Sequence, residues 1–254
     1  MDNTSGQPPV FPIAPPPYDG RSRVVEAGSC FEWLRHGWAM FRAHPATWLA
    51  ITAVLVLIFL ALMAVPLIGQ IALYMLLPIL VAGTLHACQR TTAGETPSVN
   101  DLFIAFNKDA TQLVITGLLN LAATVAIMVM LKVIAAGSAL GGIMLGAPGP
   151  LGLAAVMGSM MLSGLFAVVF LTLLTMAMWF APALVFFHRM EAWPALKASF
   201  NACAANWLPF LLFGIISLVL LFFALLPLAL GLLLLFPVMV GSLYAAYRDL
   251  FVAV

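Results

Sequence analysis

The chain has 254 residues, 64% of them hydrophobic and 7% charged, with a formal net charge of +1 and a mean hydropathy of +1.13. Soluble domains run to about 45–50% apolar and 25% charged residues, so this composition excludes an ordinary soluble globular protein, and a charge near zero excludes a general attraction to nucleic acid. The apolar runs reach the roughly 20 residues that carry an α-helix across a hydrocarbon core about 30 Å thick, and they lack the short alternating segments of a membrane β-barrel. The expected class is an all-α polytopic membrane protein with about six transmembrane helices.

Residues 1–23 read as a disordered cytoplasmic tail, because the six prolines between Pro8 and Pro17 favour extended polyproline conformation and leave little to bury. Pro12-Ile-Ala-Pro15 matches the PxxP pattern of SH3 ligands, although a plain solvated leader accounts for it equally. No basic stretch followed by an apolar one marks a cleavable signal peptide, so the first span is expected to direct insertion. Over 24–44, Phe31, Leu34, Trp38 and Phe41 recur at helical spacing with Glu32, Arg35, His36 and Arg42 mostly opposite. This pattern predicts an amphipathic helix in the headgroup plane, ending at Pro45. Spans follow at 46–65 and 71–88, joined by a tight turn at Pro66 and Gly69.

Ser98-Val-Asn-Asp101 reads as a capping box. It opens a second short amphipathic helix with Val99, Leu102 and Phe106 inward, followed by a span at 111–136. The stretch 137–164 holds eight glycines, four methionines and no charge, and is expected to form an irregular apolar loop against the far face of the bilayer or dipping into it. The remaining spans are expected at 165–187, 206–226 and 228–247.

Internal spacing points to a repeated unit. Trp48 to Pro78 and Trp207 to Pro237 are both thirty residues, and the triads Leu34, Phe41, Trp48; Val99, Phe106, Leu113; and Trp193, Phe200, Trp207 all step by seven. Three units of a short amphipathic helix plus a helical hairpin result, at about 24–94, 95–189 and 190–254. In the middle unit the proline arrives at Pro182, sixty-nine residues after Leu113, so that unit carries an insertion of about 39 residues.

Nine of the ten Lys and Arg residues fall in regions that six spans place on one side, and the intervening turns at Pro66, 137–158 and Pro227 carry none. The positive-inside rule therefore predicts both termini in the cytoplasm. Lys132 is the exception, near the far end of the third span. Its ammonium can snorkel to the interface, or it can act as a functional intramembrane charge. Every acidic residue lies on the basic side, which disfavours a proton-driven transporter, since such proteins place ionisable groups deep in the bundle.

Candidate chemistry is sparse. Cys30, Cys88 and Cys203 have no metal-ligand spacing, and His36, His44, His86 and His188 lie near the polar boundary. Methionines such as Met157, Met160 and Met161 could ligate Cu(I), but none comes with His or Cys, and lipid-facing packing explains them. No cofactor, metal or enzyme activity is expected. Pro78, Pro182 and Pro237, one in the second helix of each hairpin, are expected to kink the spans, either architecturally or around a shared central cavity. Arg35, Arg42, Arg90, Arg189, Lys197 and Arg248 are candidate lipid-headgroup contacts, since a basic residue near an anionic leaflet contributes about 1 kcal/mol; topology signalling alone also accounts for them.

The order Gly37-Trp38, Phe41, His44-Pro45, Trp48, Pro66-Leu-Ile-Gly69, Leu77-Pro78, Gly94-Glu95, Asp101-Leu-Phe103, Ala181-Pro-Ala-Leu184, Asn206-Trp207 and 244–251 resembles an uncharacterised family of six-span bacterial inner-membrane proteins. It is distantly similar to membrane domains associated with glycerophosphodiester phosphodiesterases, without their catalytic domain. That resemblance implies a multi-pass inner-membrane protein and carries no activity. The expected function is a non-enzymatic envelope or membrane-organising component whose partners are membrane lipids and other membrane proteins. The alternatives are a facilitator of a lipid or apolar solute and, more distantly, an intramembrane enzyme.

Overall fold

A computed structural model describes residues 20–108, 110–144, 150–227 and 230–252; most of the Pro-rich tail and the tip at 145–149 lie outside that set. Among the described residues all regular structure is helical, as expected of a backbone that must satisfy its own polar groups in hydrocarbon. Helix α1 spans Ser29–Ala43 and stops at His44, from which α2, Pro45–Met63, begins with its proline where the missing N–H is not needed. The turn into α3, Ile68–Thr92, is tight: Leu67 has φ 62°, and the Ile68 N–H donates to the Pro66 carbonyl at 2.7 Å. Gly69 lies so close to the Leu62 carbonyl that a Cβ would collide with it.

A 3-10 turn, Val99–Phe103, leads into the short α4, Ile104–Lys108. Ser98 opens it as the spacing predicts: its Oγ accepts from Asn100 N–H at 3.2 Å, and the Asp101 carboxylate accepts from Ser98 N–H at 2.7 Å. The rest comprises α5, Ala110–Met144; α6, Pro150–His188; α7, Ala192–Ala205; α8, Trp207–Leu225; and α9, Gly231–Tyr247, which continues as a π-helical turn over Arg248–Val252. Six helices (α2, α3, α5, α6, α8 and α9 with its extension) are long and apolar enough to cross a membrane.

Three sequence expectations change. The stretch 24–28 is not helical: a turn at 27–28 precedes α1, and the backbone before it is engaged elsewhere, with Arg23 N–H donating to the Leu250 carbonyl at 3.1 Å and Val25 N–H to Asn206 Oδ1 at 2.8 Å. The inward face of α1 is Cys30, Trp33, Gly37, Met40 and Phe41, while Phe31 and Trp38 are exposed; in the second unit Leu102 is buried but Phe106 is exposed. Sequence spacing defines an apolar sector, and the docking partner selects which edge of that sector is covered. Finally, the glycine-rich stretch is mostly helix, with α5 running on to Met144 and α6 starting at Pro150. Glycine disfavours helix in water, but in apolar surroundings an open backbone costs more than the entropy glycine loses. At 1.5 Å per residue the 35 residues of α5 extend about 52 Å and the 39 of α6 about 58 Å, well beyond a 30 Å core.

The short helices dock in a cycle. The Val99–Phe103 turn and α4 pack on α3, α7 packs on α6, and α1 packs on α9, far along the chain. Glycine makes two of these contacts possible. A Cβ on Gly37 would overlap the Val238 carbonyl and Ser242, and one on Gly83 would overlap the Leu102 backbone. The core sits at the basic end, where Trp33, Phe180, Phe210, Phe213 and Phe251 meet with ring centroids 5.3–6.1 Å apart.

Candidate functional site

Two concave sites occupy opposite faces of α9. The first is an apolar cleft of about 680 Å³ between α2, α3 and α9. Val56 and Phe59 of α2, Leu77 and Leu80 of α3, and Phe236 and Met239 of α9 form its walls. Its polar side chains are Thr52 and Thr84, and both hydroxyls are satisfied within their own helices, donating to the Trp48 carbonyl at 2.8 Å and the Val81 carbonyl at 2.7 Å. The cleft therefore offers a guest dispersion contacts and no free hydrogen bond. Val56, Phe59, Leu77 and Phe236 on its rim are exposed, so it opens sideways from the spanning helices.

The second is a polar groove of about 500 Å³ at the basic end, lined by Ser29, Glu32, Trp33 and His36 of α1, by Ala245 of α9 and by Arg248, Asp249 and Val252 of the π-helical turn after it. Both lists step by three or four, so each helix contributes one face, and the two helices separate here after the close approach at Gly37 and Gly241. Asp249 forms the floor: its carboxylate pairs with Arg23 and accepts from Trp33 Nε1 at 3.0 Å. On the walls Glu32 pairs with Arg35 at 2.5 Å, in an exposed and hence weak contact. Arg248 is exposed, and His36 Nε2 is buried without a partner. Burial, and secondarily the charge of Arg248, hold the His36 imidazole below its ordinary value.

The six candidate headgroup cations are dispersed, and only Arg248 lines either site. Arg90 is structural. It donates to Glu95 at 2.8 Å and to both Asp101 oxygens at 3.0 and 3.2 Å, fixing the loop between α3 and the capping box. Arg189 has φ 53°, and this left-handed residue ends α6 where glycine is usual. Arg42 and Lys197 are exposed on α1 and α7. Lys132 is exposed about 33 Å along α5 from Ala110, a distance comparable to the roughly 30 Å thickness of a hydrocarbon core. Pro78, Pro182 and Pro237 are each buried inside a helix; of their three helices, α3 and α9 border the apolar cleft and α6 lines neither of the two sites described.

Sequence reading missed two polar side chains. Ser199 of α7 is fully buried, and its hydroxyl accepts from Phe180 N–H at 3.0 Å while donating to the Met176 carbonyl at 2.7 Å, bridging one i→i−4 step of α6 just before Pro182. Asn206, 1% exposed, donates to the carbonyls of Arg23 and Ala202 and accepts from Val25, clamping the N-terminal strap. No periodic or motif signal distinguishes either from an ordinary boundary residue. All three cysteines are buried; burial raises the Cys30 thiol and pushes Cys203 up to about 12. Among the described residues no group of three His, Cys, Asp or Glu side chains is placed to hold a metal ion. The chain matches no protein-family model, no curated protein and no solved structure.

Proposed function

We propose that this is a non-enzymatic, multi-pass protein of the bacterial inner membrane, with both termini in the cytoplasm, that organises the membrane by holding the acyl chain of a bilayer lipid in the cleft between α2, α3 and α9. The cleft carries this reading: about 680 Å³, lined by aliphatic and aromatic side chains and open sideways, it fits the size and chemistry of ligand pockets and the shape of a chain entering from the bilayer. Passage of a polar solute has less support, because the two threonines that could wet the cleft are already bonded to their own helices. The cyclic docking of the short helices supports three copies of one unit, and the one-sided arginines support the orientation. The likeness to the six-span inner-membrane family fits the same placement.

Filling the cleft tests the proposal. Val56→Trp combined with Leu77→Trp places two indoles on rim positions that tolerate bulk. After exhaustive detergent exchange, the parent chain should retain a lipid by native mass spectrometry and the double variant should lose it. Equal retention by both proteins would remove the cleft as the binding site.

A further inference from the structure

Among the described residues nothing fills the polar groove between α1 and the end of α9, and its groups are arranged for a ligand of mixed charge. Arg248, exposed and without an ion pair among the described residues, stands on one wall; Glu32, held only by its surface pair with Arg35, stands on the other. Between them lies His36, whose Nε2 is buried and unpartnered. A buried ring nitrogen without a partner is costly, and a ligand that draws the ring toward the groove and supplies a partner recovers that cost. The floor is already neutralised, because the Asp249 carboxylate is engaged by Arg23 and by Trp33 Nε1. A simple anion in this groove would meet the Glu32 carboxylate, and a simple cation would meet the Arg248 guanidinium. A group carrying both charges meets neither conflict.

We propose that this groove is a recognition site for a phosphoethanolamine group. Arg248 and His36 Nε2–H donate to the phosphate oxygens, and the primary ammonium donates to Glu32. The neutral imidazole favoured by its burial still has an N–H to offer at Nε2, so the site needs no protonated histidine. The groove lies at the basic end, where the headgroup layer meets the spanning helices in the orientation proposed above, and the same chemistry is also presented by soluble glycerophosphoethanolamine. Choline brings Glu32 a positive charge without an N–H, and glycerol brings hydroxyl donors without a charge; the primary ammonium supplies both. The site is independent of the apolar cleft, which lies on the opposite face of α9.

The test is lipid binding to the full chain in detergent micelles, read by native mass spectrometry, with phosphatidylethanolamine, phosphatidylcholine and phosphatidylglycerol of one acyl composition. A single charge-assisted contact corresponds to roughly a tenfold change in affinity, so phosphatidylethanolamine should bind about tenfold more tightly than the other two. Arg248→Gln should lower its affinity about tenfold, and Glu32→Gln should erase its advantage over phosphatidylglycerol. Both side chains are exposed, and neither change opens the core. The tryptophan pair in the cleft should remove the binding common to all three lipids and leave the headgroup preference in place, which separates failure of this site from failure of the cleft. Competition by glycerophosphoethanolamine would show that the headgroup alone suffices, and a retained preference without such competition would assign recognition to the bilayer lipid. Equal affinity for the three lipids, an unchanged preference in both variants, or competition by inorganic phosphate as strong as by glycerophosphoethanolamine would overturn the proposal.

Discussion

Pro182 has no N–H for the Met178 carbonyl four residues back, and two residues earlier along α6 the hydroxyl of Ser199 bridges Phe180 N–H and the Met176 carbonyl. A side chain from α7 thus adds hydrogen bonds to the α6 backbone beside its proline. Ser199→Ala removes both bonds from a buried site, and a loss of about 1–3 kcal/mol is expected. Chemical unfolding in micelles measures it, and an unchanged midpoint would show that the bridge is dispensable. Asn206 makes an equally local prediction. Asn206→Leu keeps the branched shape but removes every bond that this side chain makes to the strap, so trypsin should cut after Arg23 in the variant and spare it in the parent. His36 gives a pH dependence: its folded pKa lies below the unfolded value of about 6.5, so the folded state binds fewer protons and stability falls as pH drops through that range. His36→Gln should flatten this part of the profile between pH 7 and 5, and an identical profile would assign the acid sensitivity to other groups. Labelling of the native thiols, by contrast, does not report topology, because Cys30, Cys88 and Cys203 are buried whichever side they face.

Helices and their order were legible in the sequence because length and hydropathy decide them: α2, α3, α8 and α9 begin and end within a few residues of the spans expected from uncharged runs. What remained illegible was which face each short helix turns inward. In α1 the residues Phe31, Leu34 and Trp38 are as apolar as the buried Trp33 and Met40, and only the presence of α9 distinguishes them. Gly37 marks that contact: a Cβ there would lie 2.7 Å from Ser242 N, and the mirror position Gly241 would bring one 2.8 Å from Gly37 Cα. Gly37→Leu should therefore separate the helices, at a cost above the 1–3 kcal/mol typical of overpacking. Gly137, with open space around it, should accept alanine with no loss and a gain of up to about 1 kcal/mol. Thermal unfolding of the pair compares the two directly, and equal effects would refute the close crossing. The same contrast explains why the glycine-rich stretch misled. Glycine composition signals both tight crossings and broken helix, and surroundings decide between them. The groove was illegible for a related reason, since Glu32 and His36 are more than two hundred residues from Arg248 and only the docking of α1 on α9 brings them to one site.

Across the whole molecule, the arrangement that matters is the closure of the chain on itself. Arg23, Trp33 and Val25 at one end are bonded to Asp249, Leu250 and Asn206 near the other, so α9 is held on one face by α1 and bounds the apolar cleft with the opposite face. The second hairpin, whose helices outrun the first and third, extends away from this closed end and lines neither site. A bound acyl chain distinguishes the cleft from the general apolar surface, since residues such as Leu57, Leu218 and Phe222 are also exposed and meet lipid in any membrane protein of this composition. The direct measurement is photo-crosslinking with a phospholipid carrying a diazirine on its acyl chain, followed by peptide mapping of the adducts on the full chain. Adducts concentrated at Leu77, Leu80, Phe236 and Met239, and abolished by Val56→Trp with Leu77→Trp, are the predicted result; adducts spread evenly over Leu57, Leu218 and Phe222 and indifferent to those substitutions would contradict it.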